Sequence, residues 1–344
     1  MNVREPEVAA CEVIREFLVI EAEQAQDGGL HVVNVDGVLH DVESTRARRA
    51  AAGVAQTAIM PRIFIAGCGF TGLAAARLFH RAEWEVVGGT HSAESVAALA
   101  GEPFRVLACD ITDAAALGAH AELRGLDAAI HCASSGRGGA EAYRAVYLGG
   151  ARNLAEVLAP RRLIFTSSTS VYAQNDGSVV DEQSAAEPGR ETGAVLRETE
   201  EFVLARGGIV ARLAGIYGPG RSVLLRKFFS GEAVIEGEGG RFVNQVHRDD
   251  IATALFALVQ AEARGIFNVV DDAPMTQREV YAWLAQRFGK PLPPSGPADA
   301  NRKRGVTNKR VSNAKLRALG WAPLYPSFRD AVENDPALLH ALAP

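Results

Sequence analysis

Short apolar runs alternate with segments of helical periodicity from Arg62 onward, and this alternation predicts parallel βαβ units with helices on both faces of a sheet. The predicted strands are Arg62–Ala66, Trp84–Gly89, Phe104–Ala108, Asp127–His131, Arg162–Thr166 and Gly208–Leu213. The predicted helices between them are Thr71–Arg81, Ala93–Ala100, Ala114–Leu123, Glu141–Leu158 and Glu191–Ala205. The fold class indicated is α/β, with a Rossmann-type doubly wound parallel sheet.

The rhythm changes after Arg221, where shorter helices mix with short strand candidates and a Pro-rich stretch. The helices predicted there are Asp249–Ala261, Thr276–Phe288 and Asn313–Leu319. This region is expected to form a smaller C-terminal α+β cap for the substrate. We therefore divide the chain into an N-terminal arm (1–59), an NAD(P)-binding domain (60–221) and a region that is mostly cap (222–344), from which some strands and helices return to the sheet.

The first 59 residues differ from the rest in pattern and in charge. Apolar positions predict a helix over Pro6–Gln26, and Asp36-Gly37 between apolar runs is typical of a hairpin. This segment holds ten acidic and five basic side chains, so the whole net charge of −5 resides in it. Two interpretations stay open: a genuine accessory arm, or upstream sequence included by an early start codon.

Composition excludes several classes of protein. The chain has 344 residues, 48% of them hydrophobic, and its neutral main body gives no support for nucleic-acid binding through a broad basic surface. It contains no apolar run long enough to span a membrane and no secretory signal. Its four cysteines are widely spaced, which fits neither a disulfide framework nor a metal site and favours a cytoplasmic location.

A glycine-rich motif, Gly67-Cys-Gly-Phe-Thr-Gly72, follows the first predicted strand and opens the first predicted helix. Gly67 permits a tight turn, Gly69 lets a pyrophosphate approach the backbone, and Gly72 lets the helix pack on the strand. The helix N-terminus, with Phe70 and Thr71, faces the anion. This context predicts a dinucleotide site.

The end of the second strand bears on the choice between NAD and NADP. An acidic residue at this point would bind the ribose 2′-hydroxyl of NAD. Instead Thr90, His91 and Ser92 stand here, and the first acid is Glu94. Since all three side chains can donate to a 2′-phosphate, NADP is favoured over NAD.

Further motifs follow in a fixed order along the chain. They are Cys109-Asp-Ile111, Ile130-His-Cys-Ala-Ser134, Phe165-Thr-Ser-Ser-Thr-Ser-Val-Tyr172, Arg212-Leu-Ala-Gly-Ile-Tyr-Gly-Pro-Gly-Arg221, Val246-His-Arg-Asp-Asp250 and Phe267-Asn-Val-Val-Asp271. With the glycine motif, this series resembles the extended short-chain dehydrogenases/reductases. Within them it is similar to the NAD-dependent epimerase/dehydratase family of nucleoside-diphosphate-sugar enzymes. The resemblance covers the chain from Met60 onward.

The resemblance implies roles for single residues. Asp110 would accept from the adenine amino group, with Ile111 packed on the ring. Ser168 would hydrogen-bond a substrate carbonyl or hydroxyl, and Arg221 would hold an anionic substrate group. The remaining cofactor contacts implied are Cys132, Ala133, Ser134, Thr166, Ser167, Ala214 and Ile216.

The departures from the family pattern concern proton transfer. The family has Tyr-x-x-x-Lys on the helix after Ser168, but Glu191–Glu201 contains neither tyrosine nor lysine. Depending on alignment, Thr192/Leu196 or Gly193/Arg197 occupy the two positions. Tyr147, in place of a family asparagine, and Tyr172, beside the Ser168 loop, are the candidate replacements.

The resulting hypothesis is an NAD(P)-dependent oxidoreductase or epimerase-like enzyme acting on a nucleotide sugar or another small hydroxy/keto compound. The alternative is a non-catalytic NAD(P)-binding sensor that has lost the acid/base pair. A homodimer is compatible with either function.

Overall fold

The computed structural model describes residues 60–136, 138–297 and 307–340. The predictions for the N-terminal arm, residues 1–59, lie outside this range. The strands are β1 (Arg62–Ala66), β2 (Glu85–Thr90), β3 (Arg105–Ala108), β4 (Ala128–His131), β5 (Leu163–Ser168), β6 (Val179–Val180), β7 (Ile209–Leu213), β8 (Gly215–Tyr217), β9 (Ile235–Glu236), β10 (Phe242–Val243), β11 (Gln245–His247), β12 (Gly265–Val269), β13 (Met275–Thr276), β14 (Ser295–Gly296) and β15 (Arg310–Val311).

The helices include one composite element, α4, which alternates α-helical and π-helical segments: Ala140–Tyr143, Arg144–Gly149, Gly150–Asn153 and Leu154–Leu158. The others are α1 (Phe70–Arg81), α2 (Ala93–Ala98), α3 (Ala114–Ala119), α5 (Glu191–Ala205), α6 (Val223–Phe229), α7 (Arg248–Gln260), α8 (Gln277–Phe288), α9 (Ala314–Arg317), α10 (Phe328–Asn334) and α11 (Pro336–His340). Two 3₁₀ turns, Ala121–Leu123 and Thr169–Val171, complete the list.

Seven strands form one parallel sheet in the order β12-β7-β5-β4-β1-β2-β3. The order runs outward in both directions from the β1–β4 pair, which confirms the predicted Rossmann-type doubly wound sheet. The loops after β1 and β4 leave the sheet side by side, since the Cys132 N–H donates to the Ala66 carbonyl at 2.8 Å. A ligand site is expected at this reversal of strand order.

The sheet is buried on both faces, as its continuous apolar strands require. Ile63, Phe64 and Ile65 of β1 are fully buried. Helix α7 packs against α1, and β12 is the edge strand beside β7, so parts of the chain downstream of residue 221 belong to the sheet layers.

A second apolar cluster lies apart from the core of the sheet. It is formed by α6, α8 and α10, whose buried members include Phe228, Leu284 and Phe328. This cluster is the core of the smaller C-terminal region. The exact division of the chain at residues 221 and 222 stays a proposal.

Two buried carboxyl groups connect the end of β12 with α7. Asp250 and Asp271 are almost fully buried, and Asp250 Oδ2, Asp271 Oδ1 and the Tyr217 hydroxyl have no hydrogen-bond partner. Burial, and then repulsion from neighbouring carboxylates, hold the pKa of Asp271 well above its usual range. Burial likewise raises the pKa of Asp250, although backbone N–H donors from Leu324 and Tyr325 oppose the shift.

A pH effect on stability follows from these raised pKa values. A carboxyl group whose pKa is higher in the folded than in the unfolded state contributes stability that is fully present below the unfolded-state pKa. This stability is lost as the pH rises through the folded-state pKa. Asp271→Asn removes one charge from the pair. We expect the thermal midpoint of the variant at pH 8 to rise by about 1–2 °C, the effect of roughly 1 kcal/mol in a protein of this size. The fall of the midpoint between pH 5 and pH 8 should also be shallower in the variant than in the wild type. A lower midpoint at pH 8 would contradict this account.

Candidate functional site

The loop from Gly67 to Gly72 joins β1 to α1 and follows a path that only glycines permit at two positions. Gly67 has φ +102°, and a Cβ there would lie 2.5 Å from the Ala133 nitrogen. A Cβ on Gly72 would lie 2.1 Å from the Gly67 carbonyl oxygen. The turn is tied to β2, since the N–H groups of Gly67 and Cys68 both donate to the Gly89 carbonyl, at 3.0 and 2.8 Å. The loop is therefore held close to β2 and to the loop after β4.

Gly69 occupies a different environment from Gly67 and Gly72, the other two glycines of the motif. No heavy atom lies within 4 Å of a Cβ built on it, and it is exposed at the N-cap of α1 without a capping side chain. Phe70 and Thr71 form the first turn of α1, whose N–H groups have no partner within the helix. An open cradle at a helix N-terminus fits the pyrophosphate of a dinucleotide.

A cleft of about 270 Å³ opens beside this loop at the carboxyl ends of β1, β2, β3 and β4. Seven of the predicted cofactor residues line it: Gly67, Thr90, His91, Asp110, Ile111, Ala133 and Ser134. Ser135 also lines it, at the end of the segment 131–135 that the family resemblance places along the cofactor's ribose and phosphates. Four further lining residues carry no prediction: Gly89, Cys109, Thr112 and Val146. Gly89 and Cys109 end or follow predicted strands on the same edge of the sheet, so their position along the chain could have indicated them.

The outer end of the cleft is organised around Asp110. Its Oδ1 accepts from the Thr112 N–H and the Thr112 hydroxyl, both at 2.8 Å. Burial opposes ionisation of Asp110, but these bonds and nearby His91 outweigh it and lower the pKa of the carboxyl. Asn153 of α4 donates to the Ile111 carbonyl at 2.8 Å and so positions the loop. A carboxylate held in place beside an apolar Ile111 matches the role that the family resemblance implies for an adenine ring.

The side chains of Thr90, His91 and Ser92, at the end of β2, differ in exposure and in hydrogen bonding. His91 is 83% exposed, with Nδ1 3.8 Å from Asp110 Oδ2. The Ser92 hydroxyl caps α2 by accepting from the Ser95 N–H, and the Thr90 hydroxyl donates to the Ser92 carbonyl. His91 is therefore the member of this group best placed to meet a ligand.

The inner wall of the cleft carries a hydroxyl without a partner. Ser135 Oγ is buried and makes no hydrogen bond. Buried hydroxyls usually have a partner, and a cofactor ribose or phosphate could provide one. Behind this wall, His131 is fully buried and its Nε2 lies 3.0 Å from the Val146 carbonyl. Burial lowers the pKa of His131 to about 4, which assigns it a neutral structural role.

The end of β5 divides its three predicted site residues between two sides of the strand. The Thr166 hydroxyl donates to the His131 carbonyl at 2.8 Å. Ser167 is buried, and its hydroxyl donates to Glu200 at 2.6 Å, away from the cleft. The Ser168 hydroxyl accepts from the Ser170 N–H at 3.2 Å and begins the 3₁₀ turn that follows β5.

The two tyrosines considered for proton transfer lie in different surroundings. Tyr147 is half-buried on α4, stacked on His131, with its hydroxyl 3.5 Å from Ser134 Oγ. Tyr172 is fully buried, and its hydroxyl donates to Asn268 at 2.9 Å. The arrangement directs Tyr147 toward the cofactor cleft and favours a structural role for Tyr172.

The remaining predicted residues lie around these elements. Ala214 is buried and Ile216 is in β8, next to β11. Cys132 is partly buried, and desolvation raises the pKa of its thiol to about 12. Exposed Arg221 stacks over the Phe70 ring at 5.2 Å, and Arg248 stacks over the same ring at 5.3 Å. Arg221 thus lies beside the start of α1.

The described residues contain neither a metal-binding group of side chains nor a membrane-spanning helix. Nowhere among them do three or more His, Cys, Asp or Glu side chains form a group able to hold a metal ion. Within the same residues, no helix is long and apolar enough to cross a membrane.

Comparison with known proteins agrees with this geometry. A model of the family described as "NAD dependent epimerase/dehydratase family" matches residues 63–269. The chain belongs to this family. The matched residues include the glycine loop, the residues that line the cleft and the Ser168 turn.

Three similar proteins illustrate the range of the family. Protein YeeZ of Escherichia coli K12 is 31% identical over 285 residues, covering 78% of this chain and 97% of that protein. A 3-diazoavenalumate denitrifying reductase from Streptomyces is 29% identical over 197 residues, covering 51% of this chain and 65% of that protein. The structure of a NAD-dependent epimerase/dehydratase from Methylobacillus flagellatus, itself described as putative, has a TM-score of 0.67 and 28% identity, covering 83% of this chain and 99% of that one.

Proposed function

We propose that this protein is an NAD(P)H-dependent oxidoreductase that transfers hydride to or from a small hydroxy/keto compound, with nucleotide sugars as the first substrate class to examine. The observation that carries the proposal is the open cradle at Gly69 beside a cleft lined by the predicted cofactor residues. The bound dinucleotide would supply the hydride. Gly67–Gly72 would hold its pyrophosphate, Asp110 and Ile111 its adenine, and Ala133–Ser135 its ribose and phosphates.

Ser168 would orient the substrate. Its hydroxyl is at the carboxyl end of β5, where ligands of open α/β sheets bind. A hydroxyl at this position can donate to a substrate carbonyl and polarise it for hydride addition. Arg221, exposed near the start of α1, would hold an anionic group of the substrate.

The missing Tyr-x-x-x-Lys pair keeps a second function open, a sensor that binds the dinucleotide without turning over a substrate. One experiment separates the two. The purified full chain is mixed with [4-²H]NADPH and with keto-sugar, aldehyde and aryl diazonium acceptors, and the products are analysed for deuterium. The diazonium probe is included because the name of the Streptomyces relative specifies reduction of a diazo compound.

Deuterium in a product, transferred from one face of the nicotinamide only, would support the oxidoreductase. Tight binding of NADPH without transfer to any acceptor would support the sensor instead. Failure to bind NADPH and, in a parallel titration, NADH would contradict both functions.

The preference for NADP over NAD is part of the proposal and rests on His91. Its side chain is exposed beside Asp110 and lines the cleft. His91→Asp would place a carboxylate where NAD-dependent relatives bind the ribose 2′-hydroxyl, and it would repel a 2′-phosphate. We expect NADP⁺ affinity to fall by about tenfold or more, and NAD⁺ affinity to rise, in calorimetric titrations. His120→Asp, the same change outside the cleft, should leave both affinities unaltered; equal losses for both cofactors in His91→Asp would argue against this role.

A further inference from the structure

A second cleft adjoins the cofactor cleft. The loop after β4 contributes Ser134 and Ser135 to the first cleft and Gly136 and Gly138 to the second. The second cleft is completed by Tyr143 from the first turn of α4 and by the start of α5. A substrate entering here would be next to the cofactor without occupying its site.

The structure decides between the two alignments of the missing proton-transfer pair. A Cβ on Gly193 would lie 2.5 Å from the Pro188 Cβ, so this face of α5 is packed. Thr192, one residue earlier, lines the second cleft. These contacts favour Thr192 over Gly193 as the residue in the place of the family tyrosine, and a threonine hydroxyl is not a competent acid at neutral pH.

A phenol faces the same cleft from the opposite helix. Tyr143 is half-buried, and its ring meets that of Tyr147 edge-on with centroids 4.9 Å apart. Helix α4 packs against α5, and an exposed ion pair between Arg144 and Glu198, with 2.6 Å between Nη1 and Oε2, also joins the two helices. Tyr143 and Thr192 thus line one cavity from two helices that are held together.

The other phenols nearby are directed elsewhere. The Tyr147 hydroxyl is next to Ser134 of the cofactor cleft, and the Tyr172 hydroxyl is bonded to Asn268 in the core. Neither residue lines the second cleft. Among the described residues, Tyr143 is the tyrosine that lines this cleft.

We propose that Tyr143 is the proton donor that replaces the missing family tyrosine, an inference that rests on the proposed oxidoreductase function. The reduced nicotinamide is oxidised as its hydride forms a C–H bond with the substrate carbonyl carbon. The carbonyl π pair moves to oxygen, which takes the proton of the Tyr143 phenol, and solvent water reprotonates the phenolate. The carbonyl compound is reduced to an alcohol.

Two hydride acceptors test this step. Reduction of 2,2,2-trifluoroacetophenone needs a proton, whereas reduction of N-methylacridinium to the neutral acridane needs none. With NADPH bound, Tyr143→Phe should slow ketone reduction by about 100-fold, within the usual range for general acid catalysis, and leave acridinium reduction within about twofold. Rates without protein are subtracted. Tyr281→Phe, the same change in the core of the C-terminal region, should affect neither rate.

Moving the phenol provides a rescue. Tyr143→Phe/Thr192→Tyr returns a phenol to the cleft from the facing helix. Its rate of ketone reduction should be at least about tenfold higher than that of Tyr143→Phe. Equal ketone rates in the wild type and in Tyr143→Phe would overturn the proposal, as would a wild type that reduces acridinium but not the ketone. Reduction of neither acceptor, despite NADPH binding, would instead overturn the oxidoreductase function and the Tyr143 role with it.

A readout without turnover tests the accessibility on which the role depends. Tetranitromethane modifies phenols that solvent can reach. In the full chain without cofactor, peptide mapping should find Tyr143 nitrated, while buried Tyr172 and Tyr217 stay unmodified. An unmodified Tyr143 would overturn the proposal, because a phenol that serves substrates must be reachable from the cleft.

Discussion

Gly69→Val is expected to weaken NAD(P)H binding by at least about 100-fold while the protein stays folded. Backbone N–H groups that bind a charged phosphate contribute roughly 1.5–3 kcal/mol each, so losing two of them lowers the affinity by about two to four orders of magnitude. A valine at Gly69 would project into the open cradle and prevent the pyrophosphate from reaching the start of α1. The measurement is calorimetric titration with NADPH, together with the thermal midpoint.

The other glycines of the motif provide the contrast. Gly72→Ala would place its Cβ 2.1 Å from the Gly67 carbonyl oxygen, so it should lower stability as well as affinity. Gly101→Ala, at an exposed turn whose Cβ also has open space, should change neither quantity. Unchanged NADPH affinity in Gly69→Val would remove the glycine loop from the site and leave the proposed function without its main support.

The sheet and its cofactor edge could be predicted from sequence because both depend on local patterns. Apolar runs of five or six residues identify strands, and helix α5 has the predicted bounds, Glu191–Ala205. The glycine motif is recognisable because its spacing reflects a turn made by adjacent residues. The positions of short strands such as β8 and β10 could not be predicted, because strands of two or three residues form only where a distant partner is available.

Side-chain direction was the harder part of the site. The sequence reading placed Thr166, Ser167 and Ser168 near the cofactor together, yet alternation along β5 turns Ser167 toward α5. That period of two is visible in the sequence and could have separated Ser167 from its neighbours. The second cleft could not have been found in the same way, since Tyr143 and Thr192 are brought together only by the packing of α4 on α5.

The partner of Ser167 is a buried ion pair that supports the Ser168 turn. Glu200 and Arg212 are 0% and 1% exposed, with Oε1–Nε at 3.0 Å and Oε2–Nη2 at 2.6 Å. Arg197 also donates to Glu200, and the Arg212 guanidinium stacks over the Tyr172 ring at 4.8 Å. The pair therefore connects α5 and β7 with both ends of the segment 167–172.

Removing one member of this pair should produce the largest loss of stability. Arg212→Met leaves the Glu200 carboxylate buried without its main partner, which typically costs about 3–5 kcal/mol. Glu200→Leu should cost a similar amount, because the buried Arg212 then loses the carboxylate with which it is paired. The measurement is the free energy of unfolding from urea titrations at pH 7.

The double variant Arg212→Met/Glu200→Leu decides whether charge or packing is responsible. Replacement of a whole buried pair by apolar side chains of similar volume is often nearly neutral, so the double variant should be more stable than either single one. Additive losses would show that hydrogen bonds to Ser167 and contacts with Tyr172 matter more than charge balance. In that case the pair would position the Ser168 turn, and hydride transfer in the double variant should be slowed even where its fold is retained.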